Sequence, residues 1–195
     1  LQTRSVELAM KNNLTLQVLS SLNNKPGTYI INEKKLIEKE IVSGVSYNKN
    51  ESKITISGIP DKPGISALVF GLMASNNINV DMIVQNISQD GKFANLSFTL
   101  PRLDLEKALK ILKKDKAKIG YKKIISSNNI SKISVVGVGM RSHAGVAQTL
   151  FDTLGKNKIN IQVITTSEIK ISILINEEHT DLAVQKLHQA FKLHK

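Results

Sequence analysis

Residues 58–86 read GIPDKPGISALVFGLMASNNINVDMIVQN, and residues 137–168 read GVGMRSHAGVAQTLFDTLGKNKINIQVITTSE. Laid over each other, they set Gly64 on Gly145, Phe70 on Phe151, Ile78-Asn79 on Ile159-Asn160 and Gln85 on Thr166. The spacing of 81 residues is too long for a solenoid repeat, so the chain contains a duplicated module. Each copy carries strand and helix signals in one order. In the first, Ile54 and Ile56 alternate as a strand over 53–59. Ile65, Leu68, Val69, Leu72 and Met73 then recur at helical spacing. Residues 79–87 and 93–100 read as strands joined by a hairpin turn at Asp90-Gly91. Leu105, Ala108, Leu109 and Leu112 mark a second helix, and 119–125 a closing strand. The second copy repeats this through 133–138, 146–154, 160–165, 169–175 and 181–191.

The order βαββαβ implies an antiparallel sheet with both helices on one face, an α+β fold of two ferredoxin-like modules. Copy two ends after its second helix and lacks a fourth strand. An unclaimed strand signal at 41–47 precedes copy one, and we expect it to cross over and complete the second sheet. The expected boundaries are therefore 1–40, 41–48, 49–127 and 128–195. Residues 1–40 fit neither copy. They read as a helix (1–10) and short strands (15–20, 28–31), the tail of an α/β domain whose body lies elsewhere. The start at Leu1 inside a helix suggests a fragment.

Composition narrows the function classes. Hydrophobic residues make up 41% of the 195, enough for real cores. No apolar run approaches the roughly 20 residues that span a bilayer, and no signal peptide is visible, so a cytoplasmic location is expected. With no cysteine there is no disulfide, thiolate metal site or cysteine nucleophile. The net charge of +11 raises nucleic acid as a partner, and βαββαβ is also the order of RNA-recognition modules. The lysines, however, are dispersed, and aromatics are only 4%. Phe98 shares a strand face with Ala94, Leu96 and Leu100, which marks it as core.

No catalytic constellation appears: there is no phosphate-binding glycine loop followed by Lys-Ser/Thr, no GxSxG and no HExxH. The informative positions are the loops from first strand to first helix. In copy one, Pro63-Gly64 suits a type II turn, and no Ser or Thr stands at the helix N-cap. Free N–H groups there attract a carboxylate, Asp61 suits an ammonium, and Gln85 on the neighbouring strand offers an amide. Together they describe a pocket for a free amino acid. In copy two Met140 replaces Asp61, while Thr166, Ser167 and Glu168 stand where copy one has Gln85 and Asn86. His143 has no second ligand at metal spacing and reads as a positioning loop residue.

GIPDKPG, NNINVDMIVQNIS and LSFTLPRLDLEKAL resemble the first ACT domain of aspartate kinases. ISVVGVGMRSHAGVAQTLFDTL, TSEIKIS and AVQKLHQAF resemble the second, and LQTRSVELAMKNNLTLQVLSS the end of the kinase domain. The resemblance implies the regulatory region, or β subunit, of an enzyme phosphorylating L-aspartate at the head of lysine, threonine, methionine and diaminopimelate synthesis. It implies threonine, lysine or both as inhibitory effectors, self-association through ACT domains, and pairing with a full-length α subunit. ATP and Mg would belong to the missing kinase domain, leaving this chain without cofactor or catalysis, and neither nucleic acid nor membrane is an expected partner. Carried over by residue, Asp61, Gly64, Ile65, Asn79, Asp81 and Gln85 match the first effector site. Asn160 and Ile161, with Thr166, Ser167 and Glu168, match the surface facing it. Lys62, Pro63, Val80, His143, Ala144 and Gly145 complete the candidate set. Leu103 departs from the family's Ser before Asp104, the loss of a helix cap of about 1 kcal/mol.

Overall fold

Ile54 and Ile56 are fully buried on one face of a strand whose other face carries Lys53 and Thr55, and that alternation organises the larger part of the molecule. The computed structural model describes residues 1–31, 41–89, 91–137 and 145–193. The chain divides into two units, Leu1–Ile41 and Val42–Lys195. The first contains α1 (Thr3–Lys11) and a two-stranded antiparallel ribbon of β1 (Leu16–Val18) and β2 (Thr28–Ile30), with Leu16 opposite Ile30.

The second unit runs β3 (Gly44–Pro60), α2 (Ile65–Ser75), β4 (Asp81–Ile87), β5 (Phe93–Pro101), α3 (Leu105–Lys114), a single turn α4 (Lys116–Ile119) and β6 (Lys123–Val136). It continues through α5 (Gly145–Lys156), β7 (Val163–Thr166), β8 (Lys170–Asn176) and α6 (Thr180–Ala190). Its six strands form one antiparallel sheet in the order β4-β5-β3-β6-β8-β7.

Two expected strand pairs turn out to be two long strands. Residues 44–47 and 53–59 of the expected strands belong to one strand, β3, and residues 123–125 and 133–136 to β6, while 138 lies outside the described residues. Residues 44–48 of β3 lie against 132–136 of β6, and residues 53–57 against 123–127. The register shifts around Glu51, which pairs with Ile130. Each half of the sheet thus has four strands, ordered fourth-first-third-second, and both halves share β3 and β6. Ile119 does not open a strand; it is buried in the turn of α4. The strand expected from 160 begins only at Val163. Asp90 lies outside the described residues.

Each half places its helices on one face. Val69 and Met73 of α2 and Leu105, Ala108 and Leu112 of α3 pack on Ile54, Ile56, Leu96, Phe98 and Leu100. Val146, Leu150 and Leu154 of α5 and Ala183 and Leu187 of α6 pack on Ile133, Val135, Ile171, Ile173 and Ile175. Val42, which precedes copy one in sequence, belongs to this second core. At about 25 cal/mol per Å² of apolar surface, such fully buried side chains contribute about 1.5–3 kcal/mol each. A third cluster, Met82, Ile130 and Leu174, lies on the opposite face, where the two halves meet. The turn at Arg102–Asp104 leaves Leu103 exposed, and no side chain caps α3.

Candidate functional site

The loop after β3 is shaped by its glycine. Gly64 lies at φ 91°, ψ −13°, the left-handed geometry that the type II turn requires. The Asp61 N–H donates to Lys92 O (3.0 Å), tying the loop to the entry of β5, and the Lys62 N–H donates to Pro60 O (2.9 Å). Asp61, Lys62, Pro63 and Gly64 are exposed and Ile65 is half-buried. No side chain caps α2, so its first N–H groups remain oriented toward the loop.

The structure brings Gln85 to this helix start. Gln85 pairs with the buried Leu96 and so points to the helix-bearing face. There the Ser66 hydroxyl donates to Gln85 Oε1 at 2.9 Å. Ser66, the residue after Ile65, carries no motif that the sequence marks, and only the fold sets it against β4.

Asp81 is not part of that cluster. Between Asp81 and Val84 the β4–β5 register skips, Asp81 facing Thr99 and Val84 facing Ser97, which inserts one extra residue into β4. Met82 adopts φ 43° within this bulge. Asp81 and Gln85, four apart, would share a face on a regular strand; the bulge sends them to opposite faces. Asp81 turns to the back of the sheet, where Lys132 Nζ lies 2.6 Å from its Oδ2 and its own Oδ1 accepts the Met82 N–H. Burial pushes the Asp81 carboxyl upward, but the Lys132 ammonium, the Met82 N–H and Lys170 outweigh it and hold it below the usual range. Asn79 and Val80 lie at the far end of α2, about 15 Å along an 11-residue helix, in a shallow groove with Phe70, Met73 and Asn77.

In copy two, His143 and Ala144 lie outside the described residues, as does Met140, and Gly145 is the first residue of α5. Thr166 pairs with Ile171, as Gln85 does with Leu96, and takes the equivalent place on edge strand β7. The Ser167 N–H donates to Lys170 O (2.8 Å), closing the turn that carries Glu168. Asn160 is exposed and Ile161 half-buried in the lead-in to β7. The two candidate sites therefore occupy the two edge strands of one sheet. No group of three or more His, Asp or Glu able to hold a metal ion occurs among the described residues.

A model of the ACT domain family matches residues 54–115 and 133–191, more than half of the chain. The aspartokinase of Pseudomonas aeruginosa is 48% identical over 195 residues, covering 99% of this chain and 47% of that protein. A crystal structure of aspartokinase alpha and beta subunits superposes with a TM-score of 0.73 at 45% identity, covering 77% of this chain and 99% of that one. The ligand-free regulatory subunit of aspartate kinase from Thermus thermophilus gives 0.73 at 36% identity, with 78% and 99% covered. The chain belongs to the aspartokinase family. It spans about half the length of the curated relatives it matches (47%). Its tandem βαββαβ modules are ACT domains, the part that in this family carries regulation. Phe98, the aromatic that could have suggested an RNA-reading sheet, is fully buried under α2, with Phe70 edge-on at 5.4 Å, and offers no face for stacking a base. No helix among the described residues is long and apolar enough to cross a membrane.

Proposed function

We propose that this chain senses a free amino acid, threonine or lysine, for an aspartate kinase and transmits its binding as feedback inhibition of ATP-dependent phosphorylation of L-aspartate. The observation that carries this reading is the Ser66–Gln85 hydrogen bond, which closes edge strand β4 onto the uncapped start of α2 behind Asp61 and Gly64. The ligand carboxylate takes the helix N–H groups, the ammonium takes Asp61, and Gln85 supplies an amide to the rest. A second copy supplies the opposite wall. Antiparallel pairing of β4 on one copy with β7 on its neighbour would bring Gln85 beside the neighbour's Asn160 and Ile161. Copy two forms a weaker or differently selective site, because Met140 replaces the acidic Asp61.

On this reading the chain does no chemistry itself. ATP and Mg bind in the portion of the longer relatives that it does not match, and an α subunit or kinase domain is its partner. Titration calorimetry with threonine, lysine and the pair tests the sensor. Binding of one or both is expected, and Gln85→Ala should weaken it about tenfold, or about 1.4 kcal/mol. Heat with neither amino acid at millimolar concentration would reject the reading.

A further inference from the structure

The duplicated halves are joined across the back of the sheet by two lysines that occupy equivalent places in the repeat. Lys53 precedes Ile54 on β3 as Lys132 precedes Ile133 on β6. Lys53 Nζ donates to Gln162 Oε1 (2.6 Å), at the lead-in to β7 in the other half. Lys132 Nζ reaches Asp81, the residue equivalent to Gln162, at the head of β4 in the other half. The two bonds thus cross from half to half about one pseudo-twofold axis. It runs between Glu51 and Ile130, which face each other and are themselves equivalent.

The symmetry is broken in chemistry. Lys132 is 19% exposed and held by two carboxylates, Asp81 at 2.6 Å and the buried Glu51 at 2.8 Å, whereas Lys53 donates to a neutral amide. It is broken in backbone as well. The bulge of β4 has its equivalent at the lead-in to β7, where the Gln162 N–H and Val163 both meet Leu174, but Met82 takes φ 43° and its counterpart Val163 is not left-handed. The Met82 N–H donates to Asp81 Oδ1, and the Met82 side chain enters the contact with Ile130 and Leu174 of the other half. A left-handed Met is costly by about 1–2 kcal/mol and persists only where its surroundings over-determine it. Here these surroundings are one backbone bond to Asp81 and an apolar pocket, both anchored on β6 and β8.

We infer that Lys132 is a positioning residue by which the second module sets the edge strand of the first: by fixing Asp81 it fixes the bulge, and the bulge decides which face of β4 presents Gln85. Without the extra residue, every side chain beyond it would change faces, and Gln85 would leave Ser66. The state of the second module is therefore communicated to the ligand-reading edge of the first. The last step rests on the reading of that edge as an amino-acid site; the positioning itself does not.

Amide hydrogen exchange on the ligand-free chain tests it. Lys132→Met should speed exchange of the β4 amides bonded to β5 tenfold or more, with β7 and β8 little changed, and Lys53→Met should spare β4. Should Lys132→Met fail to fold, Asp81→Asn breaks the same ion pair while leaving Lys132 with Glu51 and an acceptor for the Met82 N–H, and should give the same local pattern. Unchanged β4 protection, or an equal loss over both halves, would overturn the inference. Adding threonine or lysine separates the two readings. Wild-type binding that weakens at least fivefold in Asp81→Asn or Lys132→Met supports both. Wild-type binding equally tight in the variants overturns the communication. No binding to the wild type rejects the amino-acid site and leaves Lys132 judged by exchange alone.

Discussion

Asp81 carries two opposed electrostatic influences, and their balance decides how the protein responds to acid. Partial burial disfavours its charged form, while Lys132, the Met82 N–H and Lys170 favour it, and the net folded pKa is depressed. A carboxyl with a lowered folded pKa contributes stability above its unfolded value of about 3.9, and that contribution is lost as pH falls through the folded value. Asp81→Asn should thus lower the urea midpoint near neutrality and flatten its fall between about pH 5 and pH 3. An unchanged acid limb would show that the pair is screened by solvent, since the Asp81 side chain is 54% exposed. Lys132 works at the other end of the scale. Burial pulls its pKa down, Asp81 and Glu51 raise it further, and the net rise makes its contribution one that fades only at strongly alkaline pH. The resemblance to aspartate kinases implies Asp81 in the same effector site as Gln85, four residues on. The bulge that parts them leaves no signature, for Met82 and Ile83 are ordinary strand residues and the extra residue shows only in the pairing with β5.

At the scale of elements, β3 is the strand on which both halves depend. Copy two's want of a fourth strand is legible from its length alone, and so are the two helix faces, because Val69, Met73, Leu150 and Leu154 recur at helical spacing. That β3 runs unbroken from Gly44 to Pro60 is not legible: Asn48-Lys49-Asn50 interrupts the apolar alternation, and only the partner strand β6 keeps the chain extended there. The geometry of the candidate loop is legible for a different reason. Pro63-Gly64 and the missing N-cap are local chemistry, whereas Ser66 against Gln85 is tertiary. The dependence of the second core on the segment that leads into β3 can be read by placing a charge on Val42, 6% exposed inside that core. Val42→Asp should cost at least about 2 kcal/mol, the price of an unpaired buried polar group. The loss should first reach the amides of β8, more than 120 residues away in sequence, and not those of β5. Equal or greater loss in β5 would show that Val42 supports the sheet generally and not the second core.

For the molecule as a whole, two cores share one sheet, and the question is whether they melt separately. Each core draws on its own helices, which favours independence. Against that, both central strands pass through both halves, and the halves are also joined by the Arg102–Glu177 ion pair (2.7 Å) and by the Met82–Ile130–Leu174 cluster. Arg102 Nη2 donates to Lys49 O as well, pinning the turn after β5 to the middle of β3. Separating the halves would expose those apolar side chains and strip pairing from two long strands at once, so a half-folded state lies well above both end states. Phe98→Ala tests this directly. Phe98 is fully buried in the first core, and its truncation should cost about 3–5 kcal/mol. If the halves are one cooperative unit, the urea midpoint reported by the methyl signal of Ile173, at the centre of the second core, falls in step with that of Ile54 in the first. A midpoint at Ile173 that stays where the wild type has it would mean that each module folds alone, and that a ligand at one edge reaches the other only through a contact weaker than folding itself.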